Sequence, residues 1–339
     1  MMRVLTDFDG RQIVVIGGGT GSYSLLKGLK NYVHNLTALV NMADDGGSTG
    51  LLRDELGALP PGDVRQCLVA LSNSEQVRDL FNYRFDEGSL MGHAFGNIFL
   101  TALEKMTGSF GDAVDVAGEV LHITGKVVPI TLSDVRLRMQ YDDGEITKGE
   151  FKIGHAHFRS KRPKIWLEPK PVLNPKAKQA IEQAGLIIVA PGNLYATLGA
   201  SLAIPGIQEA LAKSKAKKGY VCNLVTKPGQ TDGFTAVDYA AEIERLAGAP
   251  FLDYVLFNSH TPSPELLEKY AHDGEYPVQL GSVPQDSGYQ LLSLDLFSEV
   301  IDVAYKASDP IAHTRSYIRH DSDKTARQLM KLYFASAEE

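Results

Sequence analysis

Short apolar runs rich in β-branched residues alternate along this chain with stretches whose apolar positions recur at helical spacing. RQIVVIG (11–17) ends in glycine and reads as a buried strand, Thr20 to Tyr32 follows with helical spacing, and LTALVNM (36–42) supplies a second strand. Further apolar runs recur at GLIIVA (185–190), GYVCNLV (219–225), LDYVLFN (252–258) and PVQLG (277–281), with helical patterns between them. This alternation predicts an α/β fold, a doubly wound and mostly parallel sheet covered by helices on both faces. Residues 63–122 read as several helices. Residues 127–170 read as a β-rich insertion, where RLRMQY alternates and the turn signal Asp142-Asp143-Gly144 follows. Residues 309–335 read as C-terminal helices packing back on the body, so the chain is expected to form one domain over 1–339 with no internal repeat.

Composition narrows the function classes. The 339 residues are 44% hydrophobic and 22% charged, which is enough apolar material for a core without staples. A net charge of −7 argues against general affinity for nucleic acid, which depends on basic surface. The basic stretch KSKAKKG (213–219) reads as a solvated helix end. No apolar run reaches the ~20 residues that span a bilayer, and MMRVLTDFDG lacks the apolar centre of a signal peptide, so no membrane insertion and a cytoplasmic location are expected. Cys67 and Cys222 lie far apart in apolar patterns and are expected as buried free thiols.

Several loops carry chemistry. In Gly17-Gly18-Gly19-Thr20-Gly21-Ser22, small residues between a strand and a helix let backbone amides approach an anion, either a phosphate or a pyrophosphate. The spacing departs from the dinucleotide fingerprint and no Walker lysine is present, which weakens a hydride-transfer reading. The second loop, Asn41-Met-Ala-Asp44-Asp45-Gly-Gly47-Ser48-Thr49-Gly50, opens with two aspartates. These could hold Mg²⁺ against a diphosphate or accept a proton from an attacking hydroxyl, and aspartates also cap helices and form turns. Asp63, after Pro60-Pro61-Gly62, is suited to cap its helix, and Arg65 to meet a phosphate or a loop carboxylate. His93 and Asn97 lie at another helix start, Asn193 and Tyr195 follow GLIIVA, and Asn223, Thr226 and Lys227 follow GYVCNLV. In a doubly wound sheet such loops share one edge and face a common crevice.

Taken in order, the motifs IGGGTG, ADDGGSTGLLRDE, PPGDVRQCLVALS, GHAFGNIFLTALE, APGNLYATL and YVCNLVTKPGQTDG, with IRHDSDK near the end, resemble the 2-phospho-lactate transferase-like (CofD-like) superfamily. The resemblance is closer to its bacterial branch, the gluconeogenesis factor (YvcK-like) proteins, and spans residues 13 to about 325. It implies a Rossmann-like fold that binds a nucleoside diphosphate carrying a group. For the bacterial branch it implies a cytoplasmic regulatory protein that binds a UDP-sugar such as UDP-N-acetylglucosamine and is linked to gluconeogenic growth and cell shape. The transferase branch implies instead a Mg²⁺-dependent transfer of a phosphorus-containing group, with Asp44 and Asp45 holding the metal or acting as base. A third reading, an NAD(P)-binding oxidoreductase, lacks a nicotinamide signature, and no redox cofactor is expected. The expected nucleotide contacts are Gly18, Gly19, Thr20, Gly21, Gly47, Ser48, Thr49, Arg53, Asp63, Arg65, His93, Asn97, Asn193, Tyr195, Asn223, Thr226 and Lys227. A homo-oligomer is expected by analogy. The chain departs from the family pattern at Leu51, Ala94, Ala190, Asn193, Gly199 to Ser201 and Tyr239, which bears on the attached group more than on the phosphate cradle.

Overall fold

A computed structural model of the chain describes residues 12–298 and 318–335. The βαβ opening is present as β1 (Gln12–Gly17), α1 (Gly19–Leu29) and β2 (Leu36–Val40). Four helices follow, α2 (Gly47–Leu56), α3 (Gly62–Leu71), α4 (Glu75–Asn82) and α5 (Phe95–Thr107), then α6 (Phe110–Val120) and β3 (Lys126–Pro129). A small antiparallel sheet comes next, with β4 (Arg136–Gln140) between β5 (Ile146–Lys148) and β6 (Lys164–Glu168), and with α7 (Glu150–His155) in the β5–β6 connection. The chain then returns through α8 (Pro175–Glu182), β7 (Ala184–Val189), a π-helical turn (Leu194–Gly199), α9 (Ala200–Leu202), α10 (Ile207–Lys213), β8 (Lys217–Val221) and α11 (Ala236–Ala247). It ends in β9 (Tyr254–Asn258), α12 (Pro264–His272), β10 (Gln290–Leu294), β11 (Phe297–Ser298), β12 (Arg319–His320) and α13 (Ser322–Ala335).

The main sheet has seven strands in the order β10-β9-β8-β7-β1-β2-β3, and every pairing is parallel. The fold is therefore Rossmann-like. Its central strands are buried on both faces, which is why IVVI, LTALV and LIIV are continuous apolar runs and do not alternate. From β1 the chain winds outward to β2 and β3, while β7 starts the opposite half. The switch point thus lies between β1 and β7, where a doubly wound sheet opens its crevice. Register brings both strand ends to one level, since the Ala190 N–H donates to Ile16 O at 2.9 Å and the Asn41 N–H donates to Gly17 O at 3.0 Å.

Three expectations change. The run PVQLG is not a strand: Pro277 offers no N–H, and the segment is held only by isolated bridges to Val225 and Thr235. The seventh strand is instead QLLSL at 290–294, pairing with β9. Residues 126–129 belong to the edge of the main sheet, so the inserted antiparallel sheet begins at β4 and contains a helix as well as strands. Of the C-terminal helical segment, 322–335 is helical and packs on α1, with Ser322 O and the Ala326 methyl against Gly28; 309–317 lies outside the described residues. Lys213 and Lys215 are exposed as read, whereas Lys217 and Lys218 lie half-buried in β8. Both cysteines are free and buried.

Candidate functional site

At the switch point the first loop is pressed between two others. A Cβ at Gly21 would lie 1.8 Å from Pro191 O, so the loops after β1 and β7 pack backbone against backbone at a distance only glycine permits. A Cβ at Gly18 would lie 2.1 Å from Asp63 Oδ2. Gly18 itself provides no side-chain cap for α1. Asp63 does this from another helix, its Oδ1 accepting the Gly19 N–H at 3.0 Å. The sequence points to Asp63 as the cap of its own helix; instead it sits one residue inside α3, and its carboxylate reaches across to the α1 N-terminus.

Beside it stands Asp44. Its Oδ2 and the Thr49 hydroxyl would each lie 2.5 Å from a Cβ at Gly62, which places the Asp44 carboxylate directly against the start of α3. Its Oδ1 accepts the Gly46 N–H at 3.0 Å. Burial raises the proton affinity of Asp44, with the Gly46 N–H and Thr49 hydroxyl opposing and the Asp45 charge reinforcing. Burial also pushes Asp63 up to about 7, the Asp44 charge adds to this, and the Asn41 amide, Gly19 N–H and Arg65 oppose it. Two half-buried carboxyls thus share one corner beside the α1 N-terminus, and they do not ionise independently.

Asp45 faces the other way. Its Oδ1 accepts the Phe151 N–H at 2.8 Å, capping α7 of the inserted sheet. The other end of α7 is gripped by Gln230, whose amide donates to the carbonyls of Ile153 (2.9 Å), Gly154 (3.1 Å) and Ala156 (3.0 Å). The Asn193 amide also donates to Gly154 O at 3.5 Å. Helix α7 therefore forms a strap from the β2 loop to the loops after β7 and β8. It brings Glu150 to the acidic corner, where burial and the charges of Asp44, Asp63 and Asp45 raise its proton affinity well above that of a free carboxyl and Lys227 opposes them. The Lys227 side chain is half-buried and makes no ion pair among the described residues, leaving its ammonium available to the crevice.

Against known families and structures, the chain matches the model described as 2-phospho-L-lactate transferase CofD over residues 13–297. The chain belongs to the CofD family. A putative gluconeogenesis factor from Thermoanaerobacterium thermosulfurigenes is 41% identical over 335 residues, covering 98% of this chain and 99% of that protein. The gluconeogenesis factor of Bacillus subtilis (strain 168) is 38% identical over 324 residues, covering 95% of this chain and 98% of that protein. Among solved structures, a member of the UPF0052 family from Bacillus halodurans superposes with a TM-score of 0.84 at 35% identity, covering 94% of this chain and 99% of that one.

The remaining expected contacts in this CofD-family chain divide into two groups. A polar chain runs along one wall: Arg65 donates to Asn82 Oδ1 (2.5 Å) and to Asn97 Oδ1 (3.0 Å), the Asn97 amide donates to Ser48 Oγ (3.2 Å), and Ser48 Oγ meets His93 Nδ1 at 3.0 Å. These residues link the starts of α2, α3 and α5, with Ser48 and His93 nearest the second loop. Thr20 is exposed on the glycine loop, and Gly47 opens α2 with a left-handed φ of +42° and free space around its Cα.

Others are turned inward. Arg53 is 4% exposed and donates to Asp44 O (2.7 Å), Asp134 Oδ1 (2.5 Å) and Val135 O (2.6 Å). It ties the second loop to the approach of β4 and is not placed to meet a phosphate. Tyr195 is fully buried, with its ring 4.9 Å from Phe158, so it is a packing residue. Asn193 Oδ1 accepts from the N–H groups of Tyr195 (3.2 Å) and Ala196 (3.0 Å), starting the π-helical turn. Asn223 braces the β7 loop, its amide donating to Gly192 O at 2.8 Å. The Thr226 hydroxyl accepts the Tyr276 N–H at 3.1 Å. Both asparagines act by shaping the loop, not by presenting a free head group. Glu150 and Gln230 escape a sequence reading: α7 is too short for helical periodicity, and no local pattern marks Gln230 as its clamp.

Among the described residues no three His, Cys, Asp or Glu side chains are grouped as a metal site. The corner formed by Asp44, Asp63 and Thr49 is nevertheless all oxygen. This suits Mg²⁺, which is commonly held by one or two carboxylates and completed by substrate phosphates and water. Among the described residues no helix is long and apolar enough to cross a membrane. A separate cavity of about 760 Å³ lies at the opposite end of the strands, lined by Gln12, Thr37, Lys176 and neighbours. Several of its polar groups are already paired, Thr37 with Gln12 at 3.0 Å and Lys176 with Asp115 at 2.6 Å, and it lies away from the switch point of the sheet.

Proposed function

We propose that the crevice binds a nucleoside diphosphate carrying a sugar, of the UDP-N-acetylglucosamine type, and that the protein acts as a cytoplasmic nucleotide-sugar-binding regulator linked to gluconeogenic growth and cell shape. The observation that carries the reading is the convergence at the β1/β7 switch point. There an α1 N-terminus without its own side-chain cap adjoins the loop that carries Ser48 and Thr49, and the half-buried Lys227 lies near enough to Glu150 of the acidic corner for its charge to act there. The diphosphate would lie on Gly18 to Gly21, and Lys227 would offset its charge. The names of the gluconeogenesis factors support the link to gluconeogenic growth. Isothermal titration with UDP-N-acetylglucosamine in the presence of Mg²⁺ tests it; absence of heat from protein shown to be folded would sink it.

A second reading, a Mg²⁺-dependent transferase acting on a nucleoside-diphosphate-linked substrate, is favoured by one feature. Two enclosed carboxyls with raised proton affinity are costly to keep in a passive cradle. Asp44 and Asp63 would hold the metal, which would neutralise charge developing on the departing nucleotide. Of the remaining groups, Glu150 is enclosed beside them and suited to carry a proton. Release of free nucleotide on incubation with candidate acceptors, abolished in Asp44→Asn, would support this reading; release that survives the substitution would remove Asp44 from it.

A further inference from the structure

The α7 strap carries an exposed aromatic residue that nothing in the protein requires at the surface. Phe151 is 51% exposed, yet it is held at several points. Its N–H is fixed by Asp45 at 2.8 Å, and its carbonyl accepts the His155 Nδ1–H at 2.7 Å. Its ring leans on the His155 imidazole with centroids 4.3 Å apart and planes 37° apart. One ring edge lies against Gly46, where an added Cβ would come within 2.9 Å of Phe151 Cδ2. Next to it, Gly47 has nothing within 4 Å of its Cβ direction, so the space above the second loop is open. An exposed benzyl group ordinarily gains by burial, and here it is oriented with one face against His155 while much of its surface remains in solvent.

We propose that Phe151, backed by His155, is the stacking shelf for the nucleobase of the bound nucleoside diphosphate. This rests on the diphosphate reading above. The shelf adjoins the Asp44–Gly47 loop on the β2 side of the crevice, where the nucleoside end of a ligand whose phosphates lie on Gly18 to Gly21 would emerge. Stacking on an aromatic face tolerates any base, so the shelf supplies affinity and orientation while leaving base choice to other contacts. His155 donates from Nδ1 to Phe151 O, which fixes the imidazole behind the shelf.

The test compares UDP and GDP with inorganic pyrophosphate, all with Mg²⁺, on the full chain. Phe151→Ala is expected to weaken whichever nucleoside diphosphate binds by about tenfold and to leave pyrophosphate affinity unchanged. Phe151→Trp is expected to restore the affinity and to report it, its indole fluorescence being quenched by the nucleotide but not by pyrophosphate. Phe151→Leu, which keeps apolar contact with Gly46 but loses the flat face, should behave like Phe151→Ala and guards against an effect of lost folding. Nucleotide affinity unchanged in Phe151→Ala overturns the shelf alone, as does an equal loss for pyrophosphate. Failure of the wild-type protein to bind either nucleotide overturns the diphosphate reading and the shelf with it.

Discussion

Replacing Asp63 by asparagine should make the unliganded protein more stable at alkaline pH and, on the proposed reading, weaken its hold on a metal–diphosphate. The new side chain keeps an oxygen for the Gly19 N–H and places an amide, not a second carboxylate, beside Asp44. The sign follows from linkage. A carboxyl whose affinity is raised in the folded state retains a proton there after the unfolded chain has released it, so stability falls as pH climbs from the unfolded value toward the folded one. For Asp63 that window runs from 3.8 to about 7. At ~1.4 kcal/mol per pH unit the ceiling is about 4 kcal/mol. The residue is partly open to solvent and shares its penalty with Asp44, so screening reduces the expected gain to about 1–2 kcal/mol. Urea unfolding with chelator and without nucleotide should give near-parity of Asp63→Asn and wild type at about pH 4, and a more stable variant at about pH 8. An identical pH slope in both proteins, or a variant less stable at the higher pH, would refute the assignment of Asp63 as a proton-holding carboxyl.

Three other substitutions separate structural from ligand-facing roles. Arg53→Ala should lower unfolding free energy by about 2 kcal/mol, because it leaves the Asp44 and Val135 carbonyls without their donor while the exposed Asp134 keeps Arg136; a variant of wild-type stability with weak ligand binding would instead make Arg53 a phosphate contact. Gly21→Ala should cost about 1–3 kcal/mol in chemical denaturation by driving the first loop off Pro191, together with a loss of diphosphate binding. Asp45→Ala removes the cap on α7 and should cost about 1 kcal/mol locally; faster hydrogen exchange at 149–155 than elsewhere checks it, and uniform exchange would show that the strap is held some other way.

The central sheet is legible because β1, β2 and β7 are buried on both faces and leave continuous apolar runs in the sequence. The outer strand β10 is not, since an edge strand of partly exposed residues has no such signature. PVQLG mimics a strand because its extended backbone satisfies its hydrogen bonds piecemeal with two loops. In the crevice, residue type announces which loops matter but not where each head group points. Arg53 and Tyr195 have functional groups that suit a ligand, and both spend them on the protein interior. Asp63 looks like a local cap, and only the packing of α1 on α3 reveals that it caps a different helix. Glu150 and Phe151 are more than 100 positions from the second loop and reach it through a six-residue helix, a relation that exists only in three dimensions.

That arrangement explains how a loop proposed to meet a diphosphate could tolerate an aspartate pair. The two side chains do different things: Asp45 anchors the strap, and Asp44 joins Asp63 in a corner where burial favours protonation. The Asp63 oxygen also occupies the Gly19 amide, the position a phosphate oxygen would want. A diphosphate arriving alone would meet that oxygen in competition and Asp44 close behind it. With a divalent cation it would meet two oxygen ligands, and the charge that opposes the bare anion becomes the charge that holds the pair. On the proposed reading the acidic corner would discriminate against phosphate without metal, and the Lys227 ammonium would favour the diphosphate once the cation has neutralised the carboxylates.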